Sequence, residues 1–254
     1  MLLSCYGVAG AQTKSKSLDG ALTHPTEVTE LNLNGSQARK TLPPEIAKLT
    51  NLKVLKLYGC GLDSLPKEIG QLKNLEVLDL GGNYLKKLPA EFCNLTNLKE
   101  LNLKRNEIEL LPDEIGNLKN LTSLDLSYNK LSSLPLSFYM LKKLIILNLD
   151  WNQLTYLSGQ FIEMSSLEIL NIGNNKLEYI PDKIWFAPKL YSLNLYKCGA
   201  MLTVPNNICD VPAFSTKARG ANIDNWHVPG SFLFPKCPYG EGGIRNGWYI
   251  AVSN

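Results

Sequence analysis

Residues 65–83 have the sequence LPKEIGQLKNLEVLDLGGN, and the second half of this stretch is one copy of a repeated phrase. Each copy begins with a leucine, has apolar residues three and five positions later and, in most copies, an asparagine eight positions later. Seven copies follow one another at a constant interval of 23 residues, opening at Leu52, Leu75, Leu98, Leu121, Leu144, Leu167 and Leu190. A fixed period of this length predicts a solenoid, in which each unit packs against its neighbours.

Within each unit, one short segment alternates apolar and variable residues, as a half-buried strand does. Leu55 and Leu57 are predicted to face the interior, and Val54, Lys56 and Tyr58 the opposite side. A proline recurs further along, at Pro66, Pro89, Pro112, Pro135, Pro181 and Pro205. Proline has no N–H for a ladder hydrogen bond, so the return segment is not a second strand. We therefore expect a parallel sheet on one side and irregular or short helical turns on the other.

A recurring asparagine follows the strand in five successive units, at Asn83, Asn106, Asn129, Asn152 and Asn175. A tight turn after a strand buries backbone N–H and C=O groups, and an asparagine side chain both donates and accepts hydrogen bonds. We therefore predict a continuous asparagine ladder inside the turns. Cys60 and Cys198 occupy the same position at the two ends of the array, where a thiol is a weaker partner.

The phrase LPKEIGQLKNL, residues 65–75, resembles the leucine-rich repeat family in the 23-residue form of many bacterial surface proteins and of cytosolic Ras-associated scaffolds. The resemblance extends over residues 28–211. It implies an α/β solenoid of about eight repeats, a horseshoe with a parallel concave sheet, a short-helical convex side and capped ends. It also implies protein binding on the concave sheet and carries no catalytic residue over to this chain. The sequence departs from the pattern at Ser158, which replaces the recurrent proline.

The chain is predicted to have four parts. Residues 1–11 end in the small-residue pattern of a signal peptidase site, so a signal-peptide remnant competes with an ordinary disordered terminus. Residues 12–27 are an N-terminal flank or cap, and residues 28–211 are the repeats. Residues 212–254 break the period and are rich in glycine, proline and aromatic residues. This tail is either an end cap that covers the last repeat or a small interaction module.

The cysteines have separate interpretations. Cys60 and Cys198 lie six repeats apart, which is roughly 30 Å at the spacing of neighbouring strands and too far for a disulfide. Cys209 and Cys237 are the disulfide candidates, and this bond would tie the tail to the last repeat of an exported protein. The alternative is that the thiols are free in a reducing compartment.

The composition argues against several classes of function. Lysine and arginine number 26 and aspartate and glutamate 23, and the resulting net charge of +3 is too small to indicate nucleic-acid binding. No apolar window of about 20 residues predicts a membrane span. His227 with Cys209 and Cys237 has irregular spacing for a zinc site, and no phosphate-binding glycine loop or nucleophile elbow occurs. We therefore expect no catalysis, no metal and no cofactor.

Side chains of the concave face fall into columns, because equivalent positions stack about 5 Å apart. The column just before the asparagine ladder contains Arg105, Tyr128 and Trp151 in three successive repeats. Arginine, tyrosine and tryptophan are enriched at binding hot spots. Lys104 and Asp150 flank this trio, which we therefore predict to be the centre of a partner-binding site.

Tyr58 and Tyr196 complete the candidate set in the column of Lys104 and Asp150. Gly81 and Gly173 in that column are expected to leave shallow dips on either side of the trio. The alternative interpretation of the trio is structural: the aromatic rings fold under the turn and stack on each other, with Arg105 in a cation–π contact.

The sequence therefore predicts a non-catalytic, monomeric protein-binding module that holds a protein partner on its concave face. Export by a bacterium, to its surface, its periplasm or its surroundings, is the predicted location. One alternative is a cytosolic signalling scaffold similar to the Ras-associated repeat proteins. Another is a structural surface protein that associates with itself through its edges.

Overall fold

A computed structural model describes residues 13–36, 40–181, 183–184, 187–190 and 192–198 of the chain. The described residues form a sheet of nine parallel strands whose order in space is their order along the chain. The strands are β1 Thr13–Ser15, β2 Val28–Asn32, β3 Val54–Lys56, β4 Val77–Asp79, β5 Glu100–Asn102, β6 Ser123–Asp125, β7 Ile146–Asn148, β8 Ile169–Asn171 and β9 Ser192–Asn194. The predicted parallel sheet is confirmed.

The register of the sheet is constant from β3 to β9. Leu55 lies opposite Leu78, Leu78 opposite Leu101, and each later pairing repeats the same step of 23 residues. A slip of one residue would turn these buried leucines to the concave surface. The columns of concave side chains therefore run straight across the sheet.

The return limb of most repeats contains a short 3-10 helix. These helices are Pro44–Lys48, Lys67–Gln71, Ala90–Asn94, Ile115–Asn117, Leu136–Met140 and Gly159–Glu163. A proline in extended conformation, with φ between −72° and −66°, directly precedes four of them. Ser158 replaces this proline before the last helix, and its hydroxyl accepts a hydrogen bond from the N–H of Gln160. The predicted short-helical convex side is confirmed.

The core between sheet and helices is a stack of leucines, joined by phenylalanines from three of the convex helices. Phe92, Phe138 and Phe161 are fully buried, as are Leu55 and Leu101 on the strands. Burying one such side chain contributes about 1.5–3 kcal/mol. All three rings lie on the convex side of the core, on the return limb.

The buried asparagines join consecutive repeats. The side-chain amide of Asn129 donates to the carbonyl oxygens of Leu103 and Leu126 at 2.9 and 3.0 Å, and its own oxygen accepts from the N–H of Ile108 at 3.0 Å. Leu103 and Ile108 belong to the preceding repeat, so the side chain bonds across the repeat boundary. The same pattern occurs at Asn83, Asn106, Asn152 and Asn175. The predicted ladder is confirmed.

A strand and a helix precede the repeats. β1 pairs with β2, and helix α1, Leu18–Thr23, follows β1. The hydroxyl of Ser17 caps α1 by accepting from the N–H of Gly20 at 3.1 Å, and α1 buries Leu18 and Ala21 against the core. The predicted segments 1–11 and 212–254 lie outside the described residues.

Three cysteines, Cys60, Cys93 and Cys198, are buried in the core. Cys60, at the first ladder position, donates from Sγ to the carbonyl oxygen of Leu33 at 3.0 Å. Burial and, to a smaller extent, the nearby charge of Glu114 raise the pKa of the Cys93 thiol to about 11. The candidate pair Cys209 and Cys237 lies outside the described residues.

Asn129→Ala should lower the free energy of unfolding by about 2–4 kcal/mol. It leaves the buried N–H of Ile108 without a partner and removes one of the two asparagine hydrogen bonds that each of the Leu103 and Leu126 carbonyl oxygens accepts. The matched control is Asn117→Ala at an exposed position, which should change stability by no more than about 0.5 kcal/mol. Urea denaturation measures both. Equal losses in the two variants would contradict the role of the ladder.

Gly70→Ala should cost about 1–3 kcal/mol, because the added Cβ would press against the carbonyl oxygen of Glu91 in the next repeat. Gly159→Ala is the matched control, since its Cβ would meet a lysine side chain, Lys183, at 3.4 Å, an ordinary contact. Thermal unfolding of both variants tests this close approach, and a Gly70→Ala variant as stable as Gly159→Ala would rule it out.

Candidate partner-binding face

The backbone turns sharply after each strand, through a residue with positive φ. In the early repeats this residue is glycine, at Gly35, Gly59 and Gly82. In the next three repeats it is Arg105, Tyr128 and Trp151, with φ of 54°, 56° and 55°. Asn174 and Lys197 continue the series. The trio predicted from the sequence therefore occupies a left-handed backbone position that glycine adopts most easily.

The polar column before the turn holds this geometry. The side-chain oxygens of Asn102, Asp125 and Asn148 each accept a hydrogen bond from the N–H two residues later, at 2.9–3.1 Å. Such a bond closes a turn at the end of the strand. Much of the hydrogen-bonding capacity of this column is thus used by the turn itself, and the sequence pattern alone did not reveal this use.

The structure brings the trio together. The rings of Tyr128 and Trp151 stack with centroids 5.4 Å apart and planes 10° from parallel. The guanidinium carbon of Arg105 lies 5.5 Å from the centre of the Tyr128 ring, in cation–π contact. Tyr128 is 46% exposed and Trp151 51% exposed. The rings stack as the structural interpretation expected, but they are not folded under the turn.

The trio adds little to the stability of the fold. A left-handed conformation costs a residue with a Cβ roughly 1–2 kcal/mol, and an aromatic pair returns about 0.5–1.5 kcal/mol. The cost of Tyr128 and Trp151 together is therefore at least as large as the gain from their stack. The turns fix the positions of these residues, and the packing of the core does not depend on their side chains.

Tyr58 lies over the backbone of the next repeat. A Cβ placed on Gly81 would lie 2.9 Å from the Tyr58 ring, and one on Gly82 would lie 3.2 Å from it. The ammonium of Lys104 stands over the same ring, 5.8 Å from its centre. The expected dip at Gly81 is therefore wrong, because the ring of Tyr58 fills it. Tyr58 and Lys104 form a second ring-and-cation pair beside the trio.

Asp150 lies half-buried beside Trp151. Its Oδ1 accepts from the N–H of Gly173 at 2.6 Å, and its Oδ2 accepts from Nδ2 of Asn194 at 3.4 Å. Burial is the main cause that raises the pKa of Asp150 to about 6; the Gly173 hydrogen bond acts in the opposite direction, and the charge of Asp125 adds to the rise. Among the described residues, no cation forms an ion pair with Asp150.

The second expected dip, at Gly173, is also wrong. A Cβ at Gly173 would meet the carbonyl oxygen of Tyr196 at 2.8 Å and Oδ1 of Asp150 at 3.2 Å. The space is filled because the neighbouring repeats lean over the glycine. The ring of Tyr196 lies beyond it, with the ammonium of Lys197 5.2 Å from its centre. Tyr58 and Tyr196 therefore lie on opposite sides of the trio, apart from it.

Asp125 also belongs to this site, although the sequence analysis did not name it. Only its position in the polar column could have indicated this. It stands in the polar column one strand before Asp150. Its Oδ1 accepts from both the N–H and the hydroxyl of Ser127, at 2.9 and 2.6 Å. No group of three or more histidine, cysteine, aspartate or glutamate side chains is arranged to hold a metal within the described part of the chain.

A family model described as a leucine-rich repeat region matches residues 28–106 and 91–194. The chain belongs to the leucine-rich repeat family. Among proteins with curated descriptions, none matches it in sequence. Searched over the described residues, this leucine-rich repeat protein has no helix both long and apolar enough to cross a membrane.

Several solved structures share the leucine-rich repeat solenoid. A leucine-rich repeat protein of Leptospira interrogans is 38% identical, with a TM-score of 0.65, over 78% of this chain and 56% of that one. The plant peptide hormone receptor RGFR1, in complex with RGF2, is 25% identical with a TM-score of 0.63, over 73% of this chain and 35% of that one. PEPR1 in complex with AtPEP1 is 26% identical with a TM-score of 0.65, over 77% and 28%. The chain thus spans 28–56% of the length of these relatives.

Trp151→Gly should be more stable than Trp151→Ala by about 0.5–1 kcal/mol, because glycine adopts positive φ without a Cβ clash. At Ile146, on a regular strand, the order should reverse, since glycine weakens a strand interior. Chemical denaturation of the four variants measures both differences. The same order of stability at both positions would contradict the strain assigned to the turn.

The pKa of Asp150 predicts a pH dependence of stability. The folded value of about 6 is above the usual 3.8, so the folded protein binds this proton more tightly than the unfolded chain does. The charged side chain therefore destabilises the fold at pH 7, and this loss disappears as the pH falls from 6 to 4. Relative to Asp150→Asn, the wild type should gain on the order of 2 kcal/mol between pH 7 and pH 4. Chemical denaturation of the two proteins at pH 7 and pH 4 gives the difference between their free energies of unfolding. The same difference at both pH values would refute the raised pKa.

Proposed function

We propose that this leucine-rich repeat protein is a non-catalytic, monomeric module that binds a protein partner on its concave face, centred on Arg105, Tyr128 and Trp151. Lys104 and Asp150 border the contact, and Tyr58 and Tyr196 mark its outer limits. The observation that carries the proposal is the exposed stack of these three side chains at positions of positive φ.

Backbone strain supports this assignment. Residues held in an unfavourable conformation at an exposed site are typical of functional surfaces. Glycine occupies the same position in the early repeats without strain, so the turn does not require a large side chain there. Stacking on each other pre-orders the two rings, which lowers the entropy lost when a partner covers them.

The relatives support a protein or peptide as the partner. RGFR1 and PEPR1 were each solved in complex with a ligand, RGF2 and AtPEP1 respectively. Hot-spot residues of protein interfaces are enriched in tryptophan, tyrosine and arginine, the three types in the stack. A protein partner fits this surface better than a small molecule, because the stack stands on an open sheet face rather than in a cavity.

We also propose that the protein is exported by a bacterium and acts outside the cytoplasm. The signal-peptidase pattern in the sequence and the likeness to a Leptospira protein support this location. Intact mass of the protein from its native host tests it: a chain that begins at Gln12 is expected. A chain that keeps Met1 and has six alkylatable cysteines would favour the cytosolic scaffold instead.

Peptides selected against the wild-type protein from a displayed random library should lose at least tenfold in affinity for the Arg105→Ala/Tyr128→Ala/Trp151→Ala variant, because hot-spot truncations each cost about 1–2 kcal/mol or more. Fluorescence polarisation measures the affinities. The control variant replaces three exposed apolar residues outside the site, Leu110, Leu136 and Met140, by alanine. Equal affinity for wild type and the first variant, or a loss confined to the control, would refute the site.

A further inference from the structure

We infer that the partner is an extended segment carrying a lysine or arginine between two apolar residues, laid along the direction of β6, β7 and β8. This inference rests on the proposed function and adds the chemistry of the partner. The surface that carries it has an apolar contact at each end of these strands and two aspartates between them.

The first apolar contact lies at the amino ends of the strands. Ile146 and Ile169 are directly opposite each other on β7 and β8. Ile146 is 40% exposed. Two adjacent isoleucines on this sheet face form an apolar contact point for another chain.

The second apolar contact is the stack of Tyr128 and Trp151, at the carboxyl ends of the same strands. Ile146 and Trp151 are five positions apart in the chain. This separation corresponds to roughly 16 Å at about 3.3 Å per residue. A partner segment in extended conformation covers the same distance with about five residues. Two apolar side chains near the ends of such a segment would reach both contacts.

The charge between the two contacts is negative. In residues 123–128, 146–151 and 169–174 the charged side chains are Asp125 and Asp150, and there is no lysine, arginine or histidine. Neither aspartate forms an ion pair within the described part of the chain. A partner carboxylate would be repelled here, whereas a cation would be complementary.

The surroundings of Asp150 make a cation favourable. On β6 it faces Asp125, and the groups that reach it from the later repeats, the N–H of Gly173 and the amide of Asn194, are uncharged. Covering Asp150 with a neutral partner would bury its charge further at a cost in free energy. A lysine or arginine would offset that cost, and it would also gain a cation–π contact with the exposed Tyr128–Trp151 stack.

The neighbouring cations of the protein itself do not offset the charge of Asp150. Arg105 stands over the Tyr128 ring and Lys104 over the Tyr58 ring, both on the β5 side of the stack. Their charges would favour an acidic partner displaced toward β5. The apolar contact of Ile146 and Ile169 lies on the other side, above β7 and β8, and this asymmetry favours the basic segment.

The experiment begins with a displayed library of random twelve-residue peptides, selected at pH 7.5 against the wild-type protein. The enriched peptides should contain a lysine or arginine flanked by apolar residues. One enriched peptide is then synthesised with its basic residue or with norleucine in its place. The basic peptide should bind the wild type at least tenfold more tightly than the norleucine peptide. This advantage should disappear in the Asp125→Asn/Asp150→Asn variant.

Acidification provides a second readout. Asp150 takes up a proton as the pH falls through about 6, so at pH 5 the affinity of the basic peptide should fall several-fold. The affinity of the norleucine peptide should not fall over the same range and should rise somewhat, because protonation removes the cost of covering a charged Asp150. Because the two peptides share every other contact, the difference between them isolates the charge.

The outcomes separate the inference from the proposed function. Enriched peptides that are acidic or uncharged, or a basic peptide whose advantage survives in the double asparagine variant, would overturn the inference and leave the binding face intact. If the library yields no peptide that prefers the wild type to the alanine variant of the Arg105 trio, the proposed function fails and the inference fails with it.

Discussion

The hydrogen bonds of the buried asparagines are the constraint on which the rest of the structure depends. Asn129 bonds to a carbonyl 26 residues earlier and to an N–H 21 residues earlier, and both partners lie in the preceding repeat. One inserted or deleted residue between those points would break both bonds. Hydrophobic packing alone tolerates small shifts, whereas paired buried hydrogen bonds do not. The asparagines therefore set the spacing, and the leucines supply most of the stabilisation.

The order of the proposed binding face follows from this spacing. Because every turn is fixed to the one before it, equivalent side chains follow one another at the distance of neighbouring strands, close enough for Tyr128 and Trp151 to stack. The N–H groups of Arg105, Tyr128 and Trp151 donate to the next repeat at 2.9–3.0 Å. The backbone under the stack is thus rigid, although the side chains above it are exposed.

The repeat, the parallel sheet, the short convex helices and the ladder all follow from the period and could be predicted from the sequence. The site could be predicted only in part. Alternation assigns Leu55 and Lys56 to opposite faces, but it does not describe residues after the strand, where φ changes sign. The expected dips at Gly81 and Gly173 are filled, because a neighbouring ring or carboxylate occupies the space that a side chain would take. The residues of one column do not indicate which side chains of the adjacent repeats lie over them.

The positive-φ position of each repeat affects which substitutions such a protein can accept during evolution. Its side chain does not pack in the core and does not bond to the ladder, so exchanging one side chain for another there changes the strain of the turn but leaves the core intact. Each repeat contributes one such position, and all of them face the same side. New binding preferences can therefore arise by single substitutions along one row, without compensating changes inside. The residues that hold the fold together and the residues that this row exposes are thus two different sets.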